Sequence, residues 1–178
     1  MQPNQMTRLS RRLSYLLRHS TQYIDHHGWA KVEDVLAALG ERCPSFSQED
    51  LEEIVRTDSK GRYSFDADHR RIRANQGHSV PVDVELEELT PPEVLYHGTA
   101  TRFLDRIFRE GLLPMTRLYC HLSADFDTAH AVGARHGKPV VLRVDAAAMA
   151  REGYVFYRSE NGVWLTKTVP PCFLTPLA

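Results

Sequence analysis

Two short runs place a histidine beside a small residue and a hydroxyl residue: Leu95-Tyr96-His97-Gly98-Thr99 and Cys120-His121-Leu122-Ser123. Val94 to Tyr96 is apolar and β-prone, and Gly98 is expected to break the strand after His97. A glycine flanked by His and Thr lets a flat ligand approach the backbone closely. Backbone N–H and C=O groups could then clasp an aromatic amide such as nicotinamide, with hydroxyls and imidazoles fixing the rest. Structural or exposed strand-end histidines fit the same spacing, so the surroundings carry the argument.

A second set of residues suits an anion. Thr7 to Arg18 reads as a helix, with Leu9, Leu13, Leu16 and Leu17 on one apolar face. At about 100° per residue, Arg11 and Arg18 point away from that face and His19 lies to one side. Arg18 and His19 either complement the dipole of a solvated helix end or build an anion site together. Further on, Arg62, Arg71 and Arg73 lie on a hairpin, either as solvated charge or as a basic surface. Asn75-Gln76-Gly77-His78-Ser79 then offers a glycine-centred polar run that can bond a phosphate or a base edge.

The elements that must position these residues change period along the chain. After the first helix, Val32, Val35, Leu36 and Leu39 form a helical stripe, with Gly40 where a C-cap belongs. Ser47 caps a third helix whose buried stripe is Leu51, Ile54 and Val55. Arg62 to Phe65 and Arg71 to Ala74 alternate with period two around the turn Asp66 to His69. Three helices and a two-stranded wing are the layout of a winged helix, a common nucleic-acid-binding module. Val80 to Val84 reads as a short strand. An acidic run from Asp83 to Glu88 leads to Thr90-Pro91-Pro92, the best candidate boundary.

The expected organisation is therefore a lobe over 1–84, an acidic and proline linker over 85–93, and a second lobe over 94–178. In the second lobe, strands are expected at Val94 to His97, Tyr119 to Leu122, Val140 to Val144, Tyr154 to Tyr157, Val163 to Leu165 and Val169 to Leu174. Phe103, Leu104, Ile107 and Phe108 form a helical stripe ended by Gly111. Ser123 or Asp125 caps a helix running towards His136. The fold class is α+β.

Composition excludes some functions. With a net charge of −1 over 178 residues, no overall basic field advertises nucleic acid, although residues 1–80 are rich in Arg and His. The three cysteines form no C-x-x-C pair and suggest a reducing compartment. No run approaches a membrane span and the N-terminus lacks an apolar targeting core, so a soluble cytoplasmic protein is expected. The nine histidines fall into no zinc spacing with the cysteines, so no metal is expected. Neither a G-x-G-x-x-G fingerprint nor a P-loop is present, so a dinucleotide would not bind in the Rossmann manner. No exposed apolar helix face suggests a dimer, and a monomer is expected.

The motifs appear in an order that resembles one family. They are Leu16-Leu17-Arg18-His19, Gly28-Trp29, Lys60-Gly61-Arg62-Tyr63, and Arg71 to Ser79 (R-I-R-A-N-Q-G-H-S). Leu95 to Thr99, Arg117 with His121-Leu122-Ser123, Val132 to Gly137, and Asn161 to Thr166 follow. The chain is similar to the RNA 2′-phosphotransferases (tRNA 2′-phosphotransferases), from about Ser10 to Leu174. The resemblance implies a winged-helix RNA lobe followed by an ADP-ribosyltransferase-like lobe of split antiparallel sheets. It implies NAD as a consumed co-substrate and, as partner, an RNA bearing an internal 2′-phosphate of the kind left by tRNA splicing. The products would be 2′-OH RNA, nicotinamide and ADP-ribose 1″,2″-cyclic phosphate, formed through an ADP-ribosylated RNA phosphate.

The resemblance assigns the phosphate chemistry to Arg18, His19, Arg62 and Arg117. His97, Gly98, Thr99, His121, Ser123 and Val163 match the NAD pocket, and Arg71, Arg73, Asn75, Gln76, His78 and Ser79 the RNA or phosphate side. Val163 stands where ordinary ADP-ribosyltransferases carry a Glu, which an already anionic phosphate nucleophile does not need. The chain departs from the family pattern at Tyr119-Cys120 and at Tyr63, outside the four phosphate-handling positions. Two other readings remain: an ADP-ribosyltransferase that caps terminal phosphates of nucleic acid, and a non-enzymatic winged-helix NAD sensor.

Overall fold

The computed structural model describes residues 3–177. The chain divides into two compact units, Met1–Glu85 and Leu86–Ala178, each with its own apolar core. The described residues form six α-helices and three small antiparallel sheets. None of these helices is long and apolar enough to cross a membrane.

In the first unit, helix α1 (Pro3–His19) buries Leu9, Leu13, Leu16 and Leu17 on its predicted face. Each such leucine contributes about 1.5–3 kcal/mol relative to exposure. Strand β1 (Trp29–Lys31) leads directly into α2 (Val32–Gly40), which packs Val35 and Leu39 into the same core. Helix α3 (Gln48–Arg56) starts with a capping box: Ser47 Oγ accepts from the Asp50 N–H, and the Asp50 carboxylate accepts from the Ser47 N–H. Strands β2 (Tyr63–Phe65) and β3 (Arg71–Ala74) form the expected hairpin, and β1 pairs with the other edge of β3. Ile72 and Ala74 face the core, whereas Arg71 and Arg73 point outward.

In the second unit, β4 (Glu87–Glu88) pairs with β8 (Phe156–Arg158), so the acidic run contributes an edge strand. The four-stranded sheet has the order β4, β8, β9 (Trp164–Thr166), β6 (Cys120–Leu122). A three-stranded sheet sets β7 (Pro139–Asp145) between β5 (Val94–Ala100) and β10 (Leu174–Leu177). Helix α4 (Leu104–Glu110) ends at Gly111, α5 (Phe126–Gly133) is capped by Asp125, and α6 (Ala146–Arg151) is capped by Asp145. Leu95, Leu122, Leu142, Met149 and Phe156 are fully buried among these layers.

Several local expectations are corrected. Strand β5 continues through Gly98 to Ala100, because Gly98 pairs with Val141 across the sheet. Gly40 is the last helical residue and Glu41 the C-cap, so Gly40 is not the cap. Val80 to Val84 forms no strand. Trp29–Lys31 and α6 were hidden by short length; three and six residues are too few to display a period.

In the second unit, the backbones of β5 and α5 approach each other closely at two glycines. A Cβ built on Gly98 would lie 1.7 Å from the Ala129 carbonyl oxygen, and one on Gly133 would lie 2.6 Å from the Thr99 carbonyl oxygen. Helix and strand touch only because both positions lack a side chain. Gly98→Ala is therefore expected to destabilise the protein by at least about 3 kcal/mol, since backbone must move. Gly40→Ala meets nothing within 4 Å and should stabilise by about 0.5–1 kcal/mol. Denaturant midpoints of the two variants should move in opposite directions.

Candidate active site

The first unit gathers its site at the end of α1. The last helical turn carries Arg18 and His19, and its carbonyls have no intrahelical partners. Residues Gly77 to Ser79 supply them. The Ser79 N–H donates to the Arg18 carbonyl at 3.0 Å. The buried His78 ring hydrogen-bonds the Leu17 carbonyl. Ser79 Oγ and His19 Nδ1 lie 2.8 Å apart. Gly77, at φ +87°, lies flat against Arg18, where a Cβ would be 3.6 Å from the guanidinium carbon. The same guanidinium sits 5.9 Å from the Tyr63 ring centre. The polar run thus closes the helix end, packs Gly77 against the Arg18 guanidinium and meets the His19 ring through Ser79.

Arg62 is fixed separately. Its N–H donates to Asp58 Oδ2 at 2.6 Å, and its guanidinium donates to Asp58 Oδ1 in an ion pair whose carboxylate side chain is 5% exposed. A guanidinium has five N–H donors, so this pairing still leaves donors for an anion. Asn75 is committed to structure: its amide donates to the Gly61 carbonyl, its Oδ1 accepts from Ser64, and its N–H donates to the Arg62 carbonyl. It shapes the turn that presents Arg62. Gln76 is half-buried.

Arg71 and Arg73 lie over Trp29, with guanidinium carbons 5.2 and 4.5 Å from its ring. Arg71 also pairs with Asp66, and Arg73 reaches the Val84 carbonyl and Glu85. The two thus form a stacked outer face of the sheet, whereas Arg18 and His19 are held by the Gly77 to Ser79 run.

In the second unit, the two histidine runs come together. The Tyr96 N–H donates to the Ser123 carbonyl at 2.9 Å, and the Ser123 N–H donates to the Tyr96 carbonyl at 2.7 Å. This isolated bridge joins β5 of one sheet to the chain just beyond β6 of the other. His97 Nδ1 donates to the His121 carbonyl at 3.1 Å, and Arg117 Nη1 donates to His121 Nδ1 at 2.7 Å. In the neutral rings, His97 then presents Nε2 as an acceptor and His121 presents Nε2–H as a donor. Burial holds His97 below the usual histidine range, and the charges of His136 and Arg117 push the same way against the His121 carbonyl. Thr99 is buried beside them.

The space at Gly98 on its Cβ side belongs to α5. The glycine serves helix packing there, which differs from the expectation of room for a ligand. Val163 lies in the Ser159–Val163 turn, one residue before β9. Because Leu122 pairs with Trp164, extending that register sets Val163 across from Ser123.

A family model described as "RNA 2'-phosphotransferase, Tpt1 / KptA family" matches residues 4–168. A protein of Hahella chejuensis is 50% identical over 172 residues, covering 94% of this chain and 92% of the relative. One from Acaryochloris marina is 49% identical over 170 residues, covering 93% and 94%. One from Nostoc punctiforme is 45% identical over 178 residues, covering 98% of both. All three are named "Probable RNA 2'-phosphotransferase". This chain belongs to the RNA 2′-phosphotransferase family, and so to the transferases.

In this family member, sequence reasoning missed Asp58 and the structural use of Tyr63. Asp58 precedes Arg62 by four residues across a glycine turn, a spacing that could have suggested the ion pair. Nothing in the sequence signalled that the Tyr63 ring would lie under Arg18. Cys120 is no nucleophile candidate, because burial pushes its thiol up to about 12.

His78 has a consequence for stability. Burial lowers it to about 4, helped by the charges of Arg18, His19 and Arg73. Unfolded, it titrates near 6.5. Between those values the unfolded chain binds the extra proton, so stability is full above about pH 6.5 and falls as pH drops towards 4. The loss assignable to His78 is about 3 kcal/mol. His78→Asn keeps a donor near the Leu17 carbonyl and cannot titrate. Denaturant melts from pH 7 to 4 should show a shallower acid loss for this variant than for the wild type.

Proposed function

We propose that this protein removes an internal 2′-phosphate from RNA by transferring it to NAD. The observation that carries this reading is that each unit holds basic side chains against its own scaffold. Arg18 and His19 are held by the Gly77 to Ser79 run, Arg62 by Asp58, and Arg117 against His121. The family name specifies phosphotransfer from the RNA 2′ position. The first unit, three helices with a small antiparallel sheet, suits a winged-helix RNA lobe. The second, with sheets joined by one bridge beside His97 and His121, suits an ADP-ribosyltransferase-like NAD lobe.

In the first step, an oxygen of the RNA 2′-phosphate bonds to C1″ of the nicotinamide ribose. The C1″–N bond breaks, its electron pair passes into the pyridinium ring, and neutral nicotinamide leaves. The phosphate is already anionic, so no general base is needed. His97 and His121 would orient NAD through their Nε2 acceptor and Nε2–H donor. In the second step, the ribose 2″-hydroxyl attacks phosphorus and the bond from phosphorus to the RNA 2′-oxygen breaks. The hydroxyl proton ends on that oxygen, giving 2′-OH RNA and ADP-ribose 1″,2″-cyclic phosphate. Arg18, Arg62 and Arg117 would stabilise charge on the phosphoryl oxygens, and His19 would orient the phosphate or carry the proton.

The test is incubation with NAD and a short RNA bearing one internal 2′-phosphate, with separation of the RNA and nucleotide products. Conversion to 2′-OH RNA and the cyclic phosphate is expected. Arg18→Ala and Arg62→Ala should each slow it on the order of a hundred- to a thousandfold, the usual loss for a preorganised donor. Accumulating ADP-ribosylated RNA would favour a capping transferase, and NAD binding with unchanged RNA a sensor.

A further inference from the structure

The first unit contains a cavity of about 440 Å³, of whose lining the chemistry above uses only Arg62 and its partner Asp58. It is lined by one face of α1, the end of α3 and the turn that carries Arg62; Ser10, Arg11, Ser14, Asp58, Arg62 and Tyr63 all border it. We infer that this groove holds the sugar–phosphate backbone of the RNA strand next to the nucleotide that bears the 2′-phosphate. The inference rests on the proposed function.

Continuity is the first argument. Thr7, Arg11, Ser14 and Arg18 are spaced by four, three and four residues, which aligns them on one face of α1. At 1.5 Å per residue, that polar stripe is about 16 Å long and ends at Arg18. Tyr63 ties the groove to the same arginine: its hydroxyl donates to the Ser10 carbonyl at 3.3 Å, and its ring lies beneath the Arg18 guanidinium. Arg62 borders the groove as well. A strand whose 2′-phosphate met Arg18 and Arg62 would therefore have a polar channel beside it.

Charge and donor chemistry are the second argument. Arg11 and Arg62 are the two guanidiniums of the groove, and the Asp58 carboxylate is already paired with Arg62. Arg11 is exposed and, among the described residues, forms no ion pair with a carboxylate. The serine hydroxyls add neutral donors. Arginine with Ser and Thr hydroxyls is the usual set for phosphate and sugar oxygens, which fix register without reading sequence. Tyr63, whose hydroxyl is used internally, is the one aromatic residue along the groove, so base stacking is not its purpose.

The experiment compares a dinucleotide and a six-nucleotide RNA, each with one internal 2′-phosphate and saturating NAD. The readout is the ratio of kcat/KM for the longer RNA to that for the shorter. Arg11→Ala should lower this ratio about tenfold and flatten the salt dependence of the longer RNA by about 0.7 in log–log slope, as loss of one single-strand phosphate contact requires. Arg11→Lys should recover most of the ratio. A wild-type ratio near one, or a ratio that Arg11→Ala leaves unchanged, overturns the inference. If the wild type transfers no phosphate from either RNA, the proposed function fails. The groove is then judged by fluorescence anisotropy with the same six-nucleotide RNA. Weaker binding by Arg11→Ala supports it; equal binding, or equal competition by inorganic phosphate and RNA, overturns it.

Discussion

The first unit depends on how α1 ends. A helix terminus leaves backbone carbonyls without partners, and burying them unpaired would cost about 1–3 kcal/mol each. This helix has no glycine cap after His19, where Ser20 follows. Instead, a segment some sixty residues later supplies the donors, with His78 at the Leu17 carbonyl and the Ser79 N–H at the Arg18 carbonyl. The same segment satisfies the backbone, meets the His19 ring and packs against the Arg18 guanidinium. The glycine of the run belongs to the same device, because at φ +87° it brings backbone flat against a guanidinium. The helix end that carries these two basic residues is thereby closed by ordinary helix-end requirements.

The same economy governs the second unit. Its two sheets are separate hydrogen-bonded systems, joined by the Tyr96–Ser123 bridge. Beside that bridge, the His97 ring closes onto the His121 carbonyl and Arg117 closes onto the His121 ring. Each contact selects a tautomer, so two imidazoles of identical type present opposite hydrogen-bonding characters. The glycine contact between β5 and α5 then sets how closely a helix covers this strand. Packing and the placement of these side chains are coupled here, since a shift of β5 moves Gly98, His97 and Thr99 together.

Neutral imidazoles recur beside cations in both units. His78 lies near Arg18 and Arg73, and His97 near Arg117; burial and positive neighbours lower both. A charged His78 would repel Arg18 and weaken the packing that aims it. Keeping these rings neutral concentrates positive charge on arginines, which stay protonated whatever the surroundings. Asp58 plays the opposite part: a nearly buried carboxylate that orients Arg62 by two of its contacts without removing all its donors.

The sequence alone determined the helical stripe of α1, the capping of α3, the β2–β3 hairpin and the residue types of the candidate anion site. These are local or periodic features: 3.6-residue and two-residue repeats, a cap, a turn. Family membership was legible as well, because it rests on the order of several motifs. Long-range contact decided the rest. That Asn75 shapes a turn while Ser79 meets His19 depends on where the chain beyond β3 passes α1. That β5 runs through Gly98 depends on Val141 as a partner and on the helix filling the space a Cβ would occupy. Short elements such as β1 and α6 were invisible because their length is below one legible period, and pairing or capping, not pattern, stabilises them. Residue identity fixed which chemistry was available; tertiary structure decided which of those groups are committed to the scaffold, as Asn75 is, and which keep donors beyond their structural contacts, as Arg62 does.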